Sequence, residues 1–292
     1  MDRDARAAHI AALDPERDAR EIYRILATLE FPWDLNQALS LALFRTYAVP
    51  SIGRLLAETG EFTERTQKRY DDTALLLDAM LNDGLDGSEG RAALKRMNQM
   101  HAMYDISGDD LRYVLSTFVV VPLRWMDAYG WRPFTEHEKR ASVHYYNDLG
   151  RHMGIKDVPE TWQGWSEHMD AYEAAHFGFD AGGRAVADAT LDLATTFPPL
   201  HRLPRDVARR STLALMDARL LDAFNYDHPP AWFTRATRTG LRLRGRVVRR
   251  LPVRTTPVTS ADLPNIRTYA PGAYDVRDLG TFSPAPGCPR AG

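Results

Sequence analysis

The sequence predicts an all-α fold, and three observations carry that expectation. Apolar residues recur at steps of three and four through most of the chain before residue 250, the period of helices facing a core. The alternating, β-branched pattern of strands is missing, and Val119-Val120-Val121 falls inside a helical pattern. Helix boundary signals are frequent, as in the capping-box run Thr135-Glu136-His137-Glu138 and the terminator Gly84.

Taken in order, the periodicity predicts a first helix over about Pro15 to Leu29. A second follows Phe31-Pro32, from Trp33 to Tyr47, and a third runs from about Thr63 to Asn82, stopping at Gly84. The next covers roughly Ser88 to Tyr104. Asp109 reads as the N-cap of a helix to about Tyr129 that Pro122 is expected to kink. The capping box opens a helix to Met153, closed by Gly154, and another begins near Pro159 with Trp162, Trp165, Met169, Tyr172 and His176 on one face. Helices from about Gly183 to Thr196 and from Pro204 to Phe224 complete the series, each bounded by prolines. No repeat of fixed period is present, which argues against a solenoid.

The 292 residues are 44% hydrophobic and 26% charged, ample for a core. No linker divides them before about residue 255, so they read as one domain over 1–254 and an irregular Pro/Gly-rich tail over 255–292. A single cysteine, Cys288, excludes an intramolecular disulfide, a cysteine-based zinc site and a cysteine-held iron–sulfur cluster. The N-terminus has no hydrophobic signal region, and the apolar run Phe118 to Val121 is too short to span a bilayer, so a cytoplasmic location is expected. A net charge of −2 gives no reason to expect a nucleic-acid partner. Residues 229–254 stand apart, with eight arginines and no acid, and Phe233, Ala236, Gly240, Leu243, Val247 and Leu251 share one helical face. Such a helix suits peripheral contact with an anionic membrane, against the alternative of packing on the domain with a solvated basic face.

One residue stands out as a site. Leu94, Met97, His101 and Tyr104 fall on a single apolar helical face, so the His101 imidazole is aimed at the core. There it is either a core histidine satisfied by a carbonyl or carboxylate, or a metal ligand. Upstream, Arg69 and Thr73 continue the apolar stripe of Leu76 or Leu77 and Met80, which aims a cation and a hydroxyl inward unless the arginine snorkels out at the stripe's edge. His176 competes with His101 and closes a Glu-x-x-His run with Glu173, but no second such run exists to complete a di-iron bundle. His144 and Asp148 are four apart and suit an ordinary helical pair.

These residues resemble a known family. The run Arg69-x-x-x-Thr73, then Arg96-Met97-x-x-Met100-His101-Ala102, then Gly150-Arg151-His152-Met153-Gly154-Ile155 and Pro159 is similar to the rubber oxygenase family. This is the catalytic domain shared by bacterial latex clearing proteins and fungal MpaB-type oxygenases, and the resemblance covers about residues 30 to 225. It implies a globin-like helical fold carrying haem b and cleaving an isoprenoid carbon–carbon double bond with dioxygen. It further implies His101 as the iron ligand, with Arg69 and Thr73 beside the haem. The chain departs from the rubber enzymes at Asp72, where they carry lysine, and their upstream glutamate has no clear counterpart, Glu58 and Glu61 being merely nearby. Asp72 lies about 100° around the helix from Thr73 and is expected to face away from the pocket or to pair with Lys68. The expected substrate is a small terpenoid or another lipid-like alkene, not polymeric rubber. The alternative is a non-catalytic helical protein that binds haem or lipid.

Overall fold

The computed structural model describes residues 2–270 and 272–281, and the described residues form helices and turns without a strand. Cys288 and the rest of the predicted tail beyond 281 lie outside them. The chain begins with α1 (Arg3–Ala12) and α2 (Ala19–Ile25), continues through α3 (Pro32–Tyr47) and α4 (Pro50–Glu58), and makes the single turn α5 (Glu61–Glu64). Next come α6 (Thr66–Asp83), α7 (Ser88–His101), α8 (Gly108–Tyr129), α9 (Glu136–His152), α10 (Trp162–His176) and α11 (Ala181–Ala194). The short α12 (Arg205–Leu213) and α13 (Ala218–Ala223) lead to α14 (Ala231–Val248).

Helix α8 is the hub, with α3, α9, α10 and α14 packed around it. It contributes Tyr113, Val119, Trp125 and Met126 to the core, which Leu75 and Met80 of α6 and Trp165 and Met169 of α10 extend. Side chains of that size, fully buried, typically cost about 2–5 kcal/mol each when truncated to alanine, so this core dominates the bundle's stability. Helices α6 and α7 form an antiparallel pair, turned at Gly84, whose φ of +83° only glycine adopts without strain. Helices α4 and α11 approach until a Cβ on Gly53 would lie 2.7 Å from the Gly183 Cα. Two glycines are therefore required at that crossing.

Boundaries follow the sequence where a cap is unambiguous. Thr135 accepts from the Glu138 amide (3.2 Å) and Glu138 accepts from the Thr135 amide (2.8 Å), the predicted capping box. Elsewhere the structure corrects the reading. Helix α8 begins at Gly108, capped by the Ser107 hydroxyl rather than by Asp109. The expected helix over Pro15 to Leu29 is α2 followed by a π-turn over Leu26–Glu30, closed by Phe31 N–H on the Leu26 carbonyl at 2.8 Å. The expected helix over Pro204 to Phe224 is broken into α12 and α13. Asp217 caps α13, and Arg238 of α14 donates to the freed carbonyls of Ala214 and Met216 at 3.0 and 3.1 Å. Helices α1 and α4 were not anticipated.

The arginine-rich segment is helical, but the face that docks is not the apolar one. Gly245 meets the Tyr129 carbonyl, and Arg244 lies 3.8 Å over the Trp33 ring while donating twice to the buried Asp34. Leu243, Val247 and Leu251, with Ala236 and Gly240, are exposed, as is Trp232 at 67%. No helix among the described residues is long and apolar enough to cross a membrane. Beyond α14, residues 252–270 and 272–281 run back across the bundle in turns, and their contacts with α6 and α7 bear on the site.

Candidate active site

Helices α3, α4, α6, α7, α8 and α9 enclose an apolar cavity of about 280 Å³, walled by residues such as Leu43, Leu55, Leu76, Met97, Val114 and Leu149. His101, Arg69 and Thr73 all line it, so the structure brings together the three residues singled out in the sequence. His101 is the last residue of α7. The helix ends there and turns, with the Tyr104 N–H on the His101 carbonyl at 3.2 Å, which brings Tyr104 onto the cavity wall from outside the helix. The expected extension of the helix to Tyr104 is thus replaced by a turn.

The His101 ring has no hydrogen-bond partner, neither a carbonyl nor a carboxylate, among the described residues. Burial lowers its pKa to about 4, and the nearby Arg69 charge pushes in the same direction. The imidazole is therefore neutral at pH 7, with a lone pair available to a ligand.

Arg69 reaches the cavity from the second turn of α6. Its guanidinium lies 5.0 Å over the Phe62 ring and donates from Nη1 to the Thr73 hydroxyl. Among the described residues it has no ion pair. Burial lowers its pKa, and the more distant Tyr47, Asp72 and Glu61 only partly offset that effect. Thr73 gives its own proton to the Arg69 carbonyl at 2.9 Å, so its hydroxyl is a clamp on the guanidinium and not a donor toward the cavity. The remaining guanidinium N–H groups are left for a ligand.

Asp72 faces away from the cavity, as its helical position predicts. It is buried and accepts from Lys68 Nζ at 2.5 Å, the Tyr269 hydroxyl at 2.6 Å and the Gly280 amide at 2.9 Å. Neighbouring Asp71 accepts from the amides of Arg267 and Thr268 at 3.0 and 2.7 Å. Arg96, in the same motif as His101, donates to the carbonyls of Leu279 (2.8 Å) and Thr281. Residues 265–270 and 272–281 are thereby strapped over α6 and α7, and Thr281 completes the cavity wall.

The third motif serves packing. A Cβ on Gly150 would meet Leu115 at 2.6 Å, and Gly154 takes φ +75° to end α9 and turn Ile155 back onto the cavity. Glu58 is exposed, whereas Glu61 is buried, lines the cavity and pairs with Arg65. His176 and His144 do not reach it. His176 is exposed, stacked on Tyr172 and bonded to the Tyr172 carbonyl at 2.9 Å, and His144 lies 3.6 Å from Glu16. Sequence periodicity missed Glu61, Asp110 and Thr281. Glu61 alone carried a local signal, the helix-opening Gly60 before it, whose φ is +71°.

An all-helical bundle thus turns an imidazole and a guanidinium, the latter without an ion pair among the described residues, toward one apolar chamber. Residues 35–250 match the family described as ER-bound oxygenase mpaB/B′/rubber oxygenase, catalytic domain, and the chain belongs to that family of oxidoreductases. It is 33% identical over 232 residues to the ER-bound oxygenase mpaB of Penicillium roqueforti, covering 72% of this chain and 76% of that one. It is 32% identical over 239 residues to the ER-bound oxygenase mpaB′ of Penicillium brevicompactum, covering 74% of this chain and 55% of the relative.

Proposed function

We propose that the protein is a haem b-dependent oxygenase that oxidatively cleaves, or otherwise oxygenates, a carbon–carbon double bond in an apolar, isoprenoid or lipid-like alkene. The observation that carries this reading is the His101 ring, neutral and without a hydrogen-bond partner, in an apolar chamber beside a guanidinium without a counter-ion. That donor set fits haem: a neutral imidazole suits the iron, an arginine suits a carboxylate, and an apolar wall suits the porphyrin face. His101 would hold the iron, and Arg69 would bind or orient the group. When bound, haem supplies the redox-active iron that dioxygen chemistry requires. The chain's own part is to exclude water, hold the alkene against the apolar wall, and present the Arg69 N–H groups to charge developing on oxygen. Thr73 fixes the guanidinium in place, and Asp72 is a structural anchor for the strap over α6 and α7.

Purified protein should show a Soret band after haem supplementation, and His101→Ala should lose most of it. A protein that stays colourless overturns the haem reading, and retention in His101→Ala with loss in His176→Ala moves the ligand to the other histidine.

The exposed stripe of α14 supports a second element of this reading, peripheral contact with an anionic membrane. Trp232, Leu243 and Val247 lie beside Arg235, Arg242, Arg246 and Arg249 on the solvent side, and the relatives are named ER-bound. An apolar substrate dissolves in such a surface. Co-sedimentation with vesicles containing anionic lipid should weaken with salt, and no pelleting at low salt rejects the contact.

A further inference from the structure

A second cavity, of about 120 Å³, lies between α2, α3, α6 and α9, with residues 258–263 forming one wall. It adjoins the His101 chamber, because Leu43, Thr73, Leu77, Phe118 and Tyr146 line both. Much of its wall is apolar, with Ala27, Leu39 and Ala74 among the residues that belong to it alone.

Its polar groups are mostly satisfied inside the protein. Thr28 donates to the Arg24 carbonyl and Ser40 to the Asn36 carbonyl, both at 2.8 Å, and the Tyr23 and Tyr146 hydroxyls meet at 2.8 Å. Tyr145 differs. It is 6% exposed, stacks on Tyr23 at 4.8 Å and lines the cavity, yet its hydroxyl has no hydrogen-bond partner among the described residues. The hydroxyl is not sealed off by protein, and a ligand oxygen in the cavity can accept its proton. Burial raises its pKa, the Tyr23 hydroxyl and the Asp78 and Asp148 charges adding to the effect against the Arg20 charge, so it remains a donor at neutral pH. Asp78, also on this wall, accepts from the Ser260 amide at 2.8 Å. A carboxylate there disfavours an anionic ligand.

We propose that this second cavity is a subsite for a neutral oxygen group, an alcohol or carbonyl, at one end of the substrate. Tyr145 donates a hydrogen bond to that oxygen, and the chain passes between Thr73 and Phe118 into the His101 chamber. The inference rests on the apolar-alkene reading above and narrows it, from a plain hydrocarbon to an oxygen-bearing isoprenoid.

Calorimetric binding to the full chain tests it without turnover, using a C15 isoprenoid alcohol, the matching hydrocarbon and the matching carboxylic acid. The alcohol should bind about two- to tenfold more tightly than the hydrocarbon, the range of one buried hydrogen bond, and the acid more weakly than the alcohol. Tyr145→Phe, nearly isosteric and without the donor, should abolish the preference and leave hydrocarbon affinity unchanged. Ala74→Leu, which fills the subsite, should weaken both C15 ligands and spare a C5 alkene. Equal affinity for alcohol and hydrocarbon, a preference that survives Tyr145→Phe, or an acid bound as tightly as the alcohol overturns the subsite. Loss of the Soret band or of turnover bears on the haem reading instead, and leaves these affinities to be judged on their own.

Discussion

Arg45 and Arg69 each carry a guanidinium from a helix toward the interior, and their surroundings could hardly differ more. Arg45 on α3 meets Glu173 through two nitrogens, one at 2.6 Å, and Asp217 through the third at 2.6 Å, while Tyr113 adds a hydrogen bond to Glu173 at 3.2 Å. Burial alone would lower its pKa, but the hydrogen bonds and charge of Glu173 and Asp217 prevail and raise it. Arg69 has a threonine, an aromatic face and a cavity, and its pKa is lowered. A closed network spends its polar groups on holding α3, α8, α10 and α13 together. An open one keeps them for a ligand. The difference separates structural from functional charge in a bundle where both are largely buried.

The largest expected effect comes from opening the closed network. Glu173→Ala removes the bidentate partner of the Arg45 cation, which keeps only Asp217, and one of the two acceptors of the Tyr113 hydroxyl, and should cost about 3 kcal/mol in denaturant unfolding. Arg69→Ala should stay within about 1 kcal/mol of the parent, since it removes an unpaired buried charge along with one cation–π contact. Comparable losses for the two variants would break the distinction.

Activity should reverse the ranking. Arg69→Ala should lower turnover on the order of a hundredfold, the usual loss for one donor in a dry site, with a far smaller fall in cofactor content. Arg69→Lys should recover little, because a compact ammonium does not reproduce the planar fork.

Acid titration of the cofactor-free protein sharpens the comparison through the sign of each linkage. His101 has a folded pKa of about 4 against an ordinary 6.5, so below 6.5 the unfolded chain binds a proton that the folded one refuses. Stability from this residue is full above pH 6.5 and is lost as pH falls toward 4, on the order of 1–3 kcal/mol in total. Asp217 is also depressed: burial raises its pKa, but the Arg45 charge and hydrogen bond outweigh that. Its contribution is present above the ordinary 3.8 and is lost only on further acidification. His101→Leu should remove most of the loss between pH 6.5 and 4, His168, whose pKa burial also lowers, keeping the rest, and leave the deeper acid transition in place; unchanged curves would contradict the burial of the imidazole.

The smallest effect expected is that of Thr73→Val. It removes the clamp on the guanidinium and keeps the volume, so turnover should fall about three- to tenfold, the worth of one hydrogen bond. Thr73→Ser should restore most of it, whereas equal loss in both variants would assign Thr73 a packing role.

The sequence disclosed the site along helices better than across them. His101, Arg69 and Thr73 were legible because each continues an apolar stripe of period 3.6, which says where a side chain points without saying what it meets. The partners of Asp72 were not legible: Tyr269 and Gly280 lie 197 and 208 residues away in a stretch with no periodicity to read. The docked face of α14 was not legible for a different reason. Its burial rests on Gly245 and on arginines whose heads are paired, while the apolar stripe that the sequence marks lies on the opposite, exposed face. The break between α12 and α13 escaped notice because a side chain from α14, Arg238, satisfies it.

The strap over α6 and α7 also makes the chamber depend on a distant part of the sequence. Its amides and the Tyr269 hydroxyl meet Asp71 and Asp72 across some two hundred residues. A change that loosens these residues strips Asp71 and Asp72 of their donors and takes Thr281 from the chamber wall, without touching His101 or Arg69. Two adjacent carboxylates thus act as a latch, and the shape of the chamber is a long-range property of the fold.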